Sequence, residues 1–461
     1  MSEVLGLDPA GLHLANSRVL VVGLGVSGAE VARVLAQRGA WVFASDSGSC
    51  DAGVVSALAS AGVEVETGTH DAARAGLRSF DFAFASPGIS PIRGFLAEVV
   101  ASGLPVISEL ELGVRLTGAP VVAVTGTNGK TTVCRLAERM GIEAGLDVYA
   151  CGNLETKFIT AASEHPDADV FVVEASSFSL TFCDSFHPRV AIVTSLAPDH
   201  LDWHGTFEHY RDAKARIAAR QTPGELFLYP ASQPEIASFA PQDGPVRAPF
   251  GSAPMERGAW ATSSEIVVRL PSVEMRAGGV DVLAARGPHF AADAAAAAAA
   301  MATVGVDAAS IERALSGFTF DRHRLEPVGS RDGVRFVDDS VATNTHATLA
   351  AIASIAEPVV LIAGGRNKGL DLTPLRDAAG RLRAVIAIGE AAEEVRRVFE
   401  PTSVFVPIAG SIGEAVSMAT EIAQTGDVVL LSPACASHDW FNNYAERGDA
   451  FIDACRRSGV A

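Results

Sequence analysis

One junction in this chain settles more of its architecture than any other. Val121-Val122-Ala123-Val124-Thr125 runs without a break into Gly126-Thr127-Asn128-Gly129-Lys130-Thr131-Thr132. A short, continuous, β-branched run is the pattern of a strand buried on both faces. The two glycines after it permit a tight turn, and the residues that follow can open a helix. A strand covered on both faces implies an α/β sheet, and loop amides at a helix N-terminus can wrap a phosphate. Lys130 can then reach β- and γ-phosphates, and the Thr131 hydroxyl can ligate Mg²⁺. The general phosphate-loop pattern has a further glycine where Val124 stands, so this is a compressed variant.

The same alternation recurs on either side. Arg18–Val22, Trp41–Ser45 (ending in Asp46), Val63–Glu66, Phe82–Ser86 and Val106–Ile107 are short apolar runs, with Ala29–Arg38 helical after the first. Val170–Glu174 and Val190–Thr194 extend the phosphate-loop sheet, and the alanine tract Ala291–Thr303 predicts a closely packed helix. A third alternation passes through Val359–Ala363, Val385–Ile388, Val404–Val406 and Val428–Ser432. At about 150 residues per domain, 461 residues suggest three domains. The expected fold class is α/β: a Rossmann-like N-terminal domain over 1–110, a central P-loop ATPase-type parallel sheet over 111–321, and a Rossmann-like C-terminal domain over 322–461.

Composition narrows the partners. A net charge of −18 argues against nucleic acid or an anionic membrane as the main partner. No apolar stretch reaches the roughly 18 residues of a membrane helix. Residues 1–17 show no basic segment followed by an apolar run, so no secretory leader is expected. Six cysteines without CxxC pairs suit reduced thiols. A cytoplasmic monomer is the expectation. One bias stands out: of 36 basic residues only Lys130, Lys157, Lys214 and Lys368 are lysine. Arginine replaces lysine at little cost on a solvated surface, but not where chemistry needs an amine. The four are therefore candidates, against the plain alternative of leftovers from a compositional bias.

A second glycine loop, Gly23-Leu24-Gly25-Val26-Ser27-Gly28, lies between a strand and a helix, with Asp46 ending the next strand. It reads as a diphosphate cradle, open to a dinucleotide or a nucleotide sugar. Phe171-Val172-Val173-Glu174 delivers a carboxylate at the end of an apolar strand, which makes Glu174 the best partner for an ATP-bound Mg²⁺. Asp199-His200 follows the strand Ala191–Thr194, and Lys214 lies on the helix beyond.

Taken together, Gly126–Thr132, Glu174, Asp199-His200-Leu201-Asp202 and Lys214 resemble the Mur ligase family, ATP-dependent amide ligases of peptidoglycan precursor synthesis. Asp338-Asp339-Ser340, Ala342-Thr343-Asn344, Gly364-Gly365-Arg366-Asn367-Lys368-Gly369 and Leu431–Ser437 look like the branch that joins D-glutamate to UDP-N-acetylmuramoyl-L-alanine, and the likeness spans about Arg18 to Phe451. It implies catalytic roles for Lys130, Glu174, His200 and Lys214, and two Mg²⁺ ions held by Thr131, Glu174, His200 and a CO₂-derived carbamate on Lys214. Gly126 to Thr132, Arg324 and Asp339 would bind ATP. The UDP substrate would meet Gly25, Val26, Ser27, Gly28, Asp46, Ser86, Gly88, Asn153 and His200. Thr343, Lys368, Ser437 and the backbone near Tyr444 would hold the amino acid.

Several positions depart from the family pattern. Val341 replaces a lysine, Phe290 and Asp293 replace two asparagines at the adenine contact, Glu155 replaces a glycine in a Gly-Asn-Ile-Gly loop, and Ser179 replaces a glutamine. A working ligase and a paralogue with another amino acid or acyl substrate both fit this record. So does a nucleotide-binding protein with little catalysis. Folylpolyglutamate synthase would share the phosphate loop and Lys214 but not the first glycine loop, and an NAD-dependent oxidoreductase would leave the phosphate loop idle. Lys157 is a candidate to replace the charge missing at Val341.

Overall fold

A computed structural model describes residues 14–460; of the segment 1–17, on which the absence of a leader was read, residues 1–13 lie outside them. Three sheets organise the described residues. The first holds five parallel strands in the spatial order Glu64–Thr67, Trp41–Asp46, Arg18–Val22, Phe82–Ala85, Val106–Ile107. Strand order reverses between Arg18–Val22 and Phe82–Ala85, and open parallel sheets bind ligands beyond the carboxyl ends of strands at such a point. The loops that leave those two strands carry Gly23–Gly28 and Ser86–Gly88.

The central sheet has nine strands in the order Val273–Ala277, Ile266–Leu270, Gly258–Ala261, Val246–Gly251, Leu226–Pro230, Val190–Val193, Val121–Thr125, Val170–Glu174, Val148–Gly152. The first three are joined by antiparallel pairs and every other neighbour is parallel. This antiparallel extension was not foreseen. Val122, Ala123 and Val124 are fully buried on a strand paired in parallel on both sides, so the phosphate loop stands on an interior strand of the sheet. Phe158, Phe171, Phe186 and Phe227 pack around that strand's neighbours, each contributing about 1.5–3 kcal/mol by leaving water.

The third sheet runs Glu326–Arg331, Val334–Asp338, Val428–Leu431, Val359–Gly364, Leu382–Ile388, Ile408–Ala409, with only its first pair antiparallel. Val404–Val406, expected as a strand, makes a single bridge from Phe405 to Ala384; the edge strand is Ile408–Ala409. Prolines at 401 and 407 bracket that segment, and proline cannot donate to a ladder. The alanine tract is helical over Pro288–Thr303, and its small side chains are buried from Ala294 to Ala300.

The described chain forms two compact bodies that are not colinear with it. One contains the residues through Leu196, Trp203–Gly279 and Ala292–Leu315, and so holds the first two sheets. The other contains Ala197–Asp202, Val280–Ala291 and Ser316 onward. No helix of the described residues is long and apolar enough to cross a membrane.

Within the first body, Glu109 is buried to 3 % exposure and its Oε2 accepts the Ile159 amide at 3.1 Å. Burial pushes its carboxyl up to about 7, although that amide and the nearby Lys157 pull the other way. The native state therefore keeps a proton that the unfolded chain loses near pH 4.5, and folding is penalised as pH rises from about 4.5 to 7. Glu109→Gln removes the penalty, on the order of 3 kcal/mol at full size. The variant is expected to melt at the wild-type temperature near pH 4.5 and several degrees above it at pH 8, which calorimetry at the two pH values checks.

Candidate active site

The phosphate loop ends the central strand and opens the helix Lys130–Glu143. Two of its glycines are obligatory. Gly126 has φ +146°, and a Cβ there would lie 1.9 Å from Thr194 Oγ1. Gly129, at φ +86°, is pressed by the Asp293 carboxylate, 2.7 Å from where a Cβ would stand. Asp293, read as a lost adenine contact, thus sits against the loop itself. Lys130 folds over the turn, with Nζ donating to Gly126 O at 3.0 Å and Thr127 O at 2.9 Å.

Glu174 ends the neighbouring strand with its side chain buried. Its Oε2 accepts from Thr131 Oγ1 at 2.8 Å and its Oε1 from Asn153 Nδ2 at 2.8 Å. The expected metal ligands Thr131 and Glu174 are therefore together. Adjacent ligands of an octahedral Mg²⁺, each about 2.1 Å from the ion, are about 3.0 Å apart, so this pair of hard oxygens is close to the spacing that ion needs.

Lys214 is 2 % exposed on the helix Phe207–Ala215. Its Nζ donates to Gly126 O at 2.7 Å and Thr125 Oγ1 at 3.3 Å, and lies 4.7 Å from the centre of the Tyr210 ring. Tyr210 in turn reaches Thr127 Oγ1 at 3.0 Å. A sequence-distant lysine has thus been brought directly beneath the phosphate loop.

On the first sheet, Asp46 does not stand open. Its Oδ2 accepts the Leu24 amide at 2.7 Å and its Oδ1 the Gly48 amide at 2.8 Å, so it shapes the glycine loop from below. Gly28 is required by contact, since a Cβ would meet Gly23 O at 1.9 Å, and Val26 projects into solvent at 70 % exposure. Ser86 packs under Gly23, while nothing crowds Gly88.

The second body carries the remaining expected residues. Asp199 is buried and accepts from Lys368 Nζ at 3.1 Å, from Asn344 Nδ2 at 3.1 Å and from the His200 amide at 2.8 Å. Burial alone would raise its carboxyl, but His200 and Lys368 outweigh that and hold it below the usual range. Lys368, expected on an amino acid's carboxylate, is here paired with Asp199. His200 adopts φ +52°. Asp339 is buried, accepting from Ser432 Oγ at 2.9 Å and the Leu325 amide at 3.2 Å, and burial pushes it up to about 7.

Arg324 sits between two residues with left-handed backbone, His323 at φ +64° and Leu325 at φ +43°. Such conformations cost about 1–3 kcal/mol each and persist only when their surroundings enforce them. His323 Nδ1 meets Asp338 Oδ2 at 2.6 Å, its amide reaches Glu326 Oε2 at 2.7 Å, and Arg286 Nη1 donates to the carbonyls of Arg324 and Leu325. The hydrogen bond to Asp338 raises the His323 pKa. This His323–Asp338 pair was not foreseen; the doubled acid at 338–339 was the one available signal.

Arg447 was missed altogether. It is 1 % exposed, donating to Ser340 Oγ at 3.1 Å, Ser340 O at 2.9 Å and Cys435 O at 3.0 Å. Ser340 Oγ passes the connection on to Tyr444 O at 2.7 Å. Arg447 therefore ties together the segments that carry Asp339, Thr343, Ser437 and Tyr444. Phe290 is buried against Phe320 and His289, a core position in this body.

Comparison with known proteins covers all three sheets. Residues 17–108 match the Mur ligase MurD-like N-terminal domain, 124–301 the Mur ligase middle domain, and 323–435 the Mur ligase glutamate ligase domain. A UDP-N-acetylmuramoylalanine–D-glutamate ligase from Pelotomaculum thermopropionicum is 37% identical over 446 residues, covering 95% of this chain and 96% of that protein. The protein of the same name from Frankia casuarinae is 39% identical over 453 residues, covering 96% and 94%. In fold, the chain is similar to MurF from Acinetobacter baumannii, with a TM-score of 0.59 at 15% identity over 96% of this chain and 92% of that one.

Proposed function

Because this chain belongs to the Mur ligase family, we propose that it is an ATP-dependent amide ligase joining D-glutamate to UDP-N-acetylmuramoyl-L-alanine in peptidoglycan precursor synthesis. Full-length likeness to ligases of that name supports the substrates. The observation that carries the chemistry is the Thr131–Glu174 pair beside Lys130, beyond the carboxyl ends of two adjacent buried strands.

The reaction divides among the residues described. Gly23–Gly28 and Ser86–Gly88 take the UDP end, and Asn153 and His200 position the muramoyl-alanine end. The carboxylate of that substrate attacks the γ-phosphoryl of ATP, releasing ADP and leaving an acyl phosphate. Lys130 holds the phosphates as a compact cation, and Arg324 and Asp339 serve the nucleotide. The free amine of D-glutamate, held by Thr343, Lys368, Ser437 and the backbone near Tyr444, then attacks the carbonyl. The C–N bond forms, the phosphate leaves with the C–O bond electrons, and the amine gives up a proton. Mg²⁺, for which Thr131 and Glu174 offer fitting oxygens, would spread the charge on the transferring phosphoryl group. Carbamylation would turn buried Lys214 from a cation into an oxygen ligand for a second ion, with His200 as the imidazole candidate. Water must be kept from the acyl phosphate or it hydrolyses. The protein works as a cytoplasmic monomer in this reading.

Phosphate release with ATP, Mg²⁺ and UDP-N-acetylmuramoyl-L-alanine tests the assignment across a panel of amino acids that includes D-Glu and L-Glu. Release is expected with D-Glu, and at least about a hundredfold less with L-Glu. Release with some other amino acid and none with D-Glu would move the chain to the paralogue reading that Val341 keeps open.

A further inference from the structure

The reaction gives work to three of the four lysines and leaves Lys157 idle. It occupies the N-cap of the helix Phe158–Glu164, where the helix dipole disfavours a cation. Its ammonium turns away from that helix onto the preceding loop, donating to Leu154 O at 2.8 Å and to Gly152 O at 3.4 Å. A tie from the other side comes from Glu155, whose carboxylate takes Arg135 Nη2 at 2.5 Å from the helix that opens at Lys130. The Gly152 amide closes the loop on Thr156 O at 2.9 Å.

Between these ties lies Asn153. Its amide donates to Glu174 O at 2.8 Å, and its Nδ2 donates to Glu174 Oε1 at 2.8 Å. With Oε1 held this way, Oε2 is the oxygen presented to Thr131. We infer that Lys157, assisted by Glu155, is a positioning residue that locks the Gly152–Thr156 loop so that Asn153 fixes the orientation of the Glu174 carboxylate toward a divalent ion. The inference rests on the reading of Glu174 as a metal ligand. Partners that orient a metal ligand from behind commonly set affinity by 10–100-fold.

The choice of lysine has a steric reason. Two carbonyls on one short loop can share a single compact ammonium, whereas a planar guanidinium needs its acceptors set wider. The loop cannot yield to a larger group, because Gly152 at φ +95° packs so closely that a Cβ would lie 2.5 Å from Glu174 O. The two ties differ in weight. Glu155 is 77% exposed, and an exposed ion pair contributes little.

Mn²⁺ titrated into the ADP-bound protein and followed by electron paramagnetic resonance tests this without reference to turnover. Lys157→Met is expected to weaken Mn²⁺ binding about tenfold, and Lys157→Arg to weaken it nearly as much. Glu155→Gln should change it by less than about threefold. Melting temperatures should stay close to wild type, since a merely structural lysine would move stability and leave the metal alone. If Lys157→Met folds poorly, Lys157→Arg carries the test by itself. Wild-type Mn²⁺ affinity in both Lys157 variants, with Glu174→Gln weakened, overturns the inference. Unchanged affinity in Glu174→Gln removes the metal-ligand reading instead, and the inference falls with it.

Discussion

Lys214→Arg is expected to lower turnover by about 10³-fold or more, roughly 4 kcal/mol of transition-state stabilisation. The argument begins with charge and room. The Lys214 Nζ is buried beneath the phosphate loop, 2.7 Å from Gly126 O. Arginine keeps the positive charge but is larger, stays protonated to about pH 12 and above, and cannot become a carbamate. If the role were cationic support of the loop, arginine would serve tolerably. If the role is to supply oxygen ligands after reaction with CO₂, arginine abolishes it. Two measurements separate the cases. ¹³C nuclear magnetic resonance in ¹³C-bicarbonate should show one carbamate signal that disappears in the variant, and wild-type turnover should fall in CO₂-depleted buffer. A variant that retains a tenth of wild-type turnover would sink the carbamate role.

The second large effect concerns stability. Arg447→Met is expected to destabilise the second body by about 3 kcal/mol and to lower its melting temperature by about 6–12 °C. Arg447 satisfies two main-chain carbonyls and a hydroxyl in a fully buried place. Methionine fills similar space yet leaves those acceptors unpaired, at about 1–3 kcal/mol each. Relief from burying a cation offsets part of the loss; burial already lowers the Arg447 pKa to about 10. Because Arg447 joins the segments bearing Asp339 and Ser437, the KM for D-glutamate should rise about tenfold or more while the KM for the UDP substrate holds. Calorimetry together with initial rates checks both halves. An unchanged melting temperature would show that water or a neighbour replaces the guanidinium.

The contrast between these residues marks what the sequence could disclose. Lys130, Thr131 and Glu174 were legible because each ends or follows a buried strand, and the end of a strand in an open parallel sheet is where ligands collect. The chemistry there is local to a few consecutive residues. Arg447 lies in an amphipathic helix whose exposed positions also carry arginine, and only the partners brought by the third sheet reveal it as buried. The His323–Asp338 pair joins residues 15 apart across a strand–turn, and the Asp199–Lys368 pair joins residues 169 apart. No pattern in one sequence reports such pairings. Val404–Val406 failed for a different reason: its β-branched residues suit a strand, but flanking prolines leave it a single bridge. Asp46 was correctly placed at a strand end, yet its partners are amides of the loops it shapes.

The four lysines have one more property in common: all are buried or half-buried, and none stands fully in solvent. In most proteins, acylating reagents spend themselves on a crowd of exposed amines that do nothing. Here the side-chain amines are so few and so placed that each acylation event falls on the phosphate loop, the residue beneath it, the Asn153 loop or the Asp199 pair. Site-by-site acylation rates, read by mass spectrometry with and without nucleotide or amino acid, would therefore serve as a four-channel reporter of occupancy, with no label engineered in.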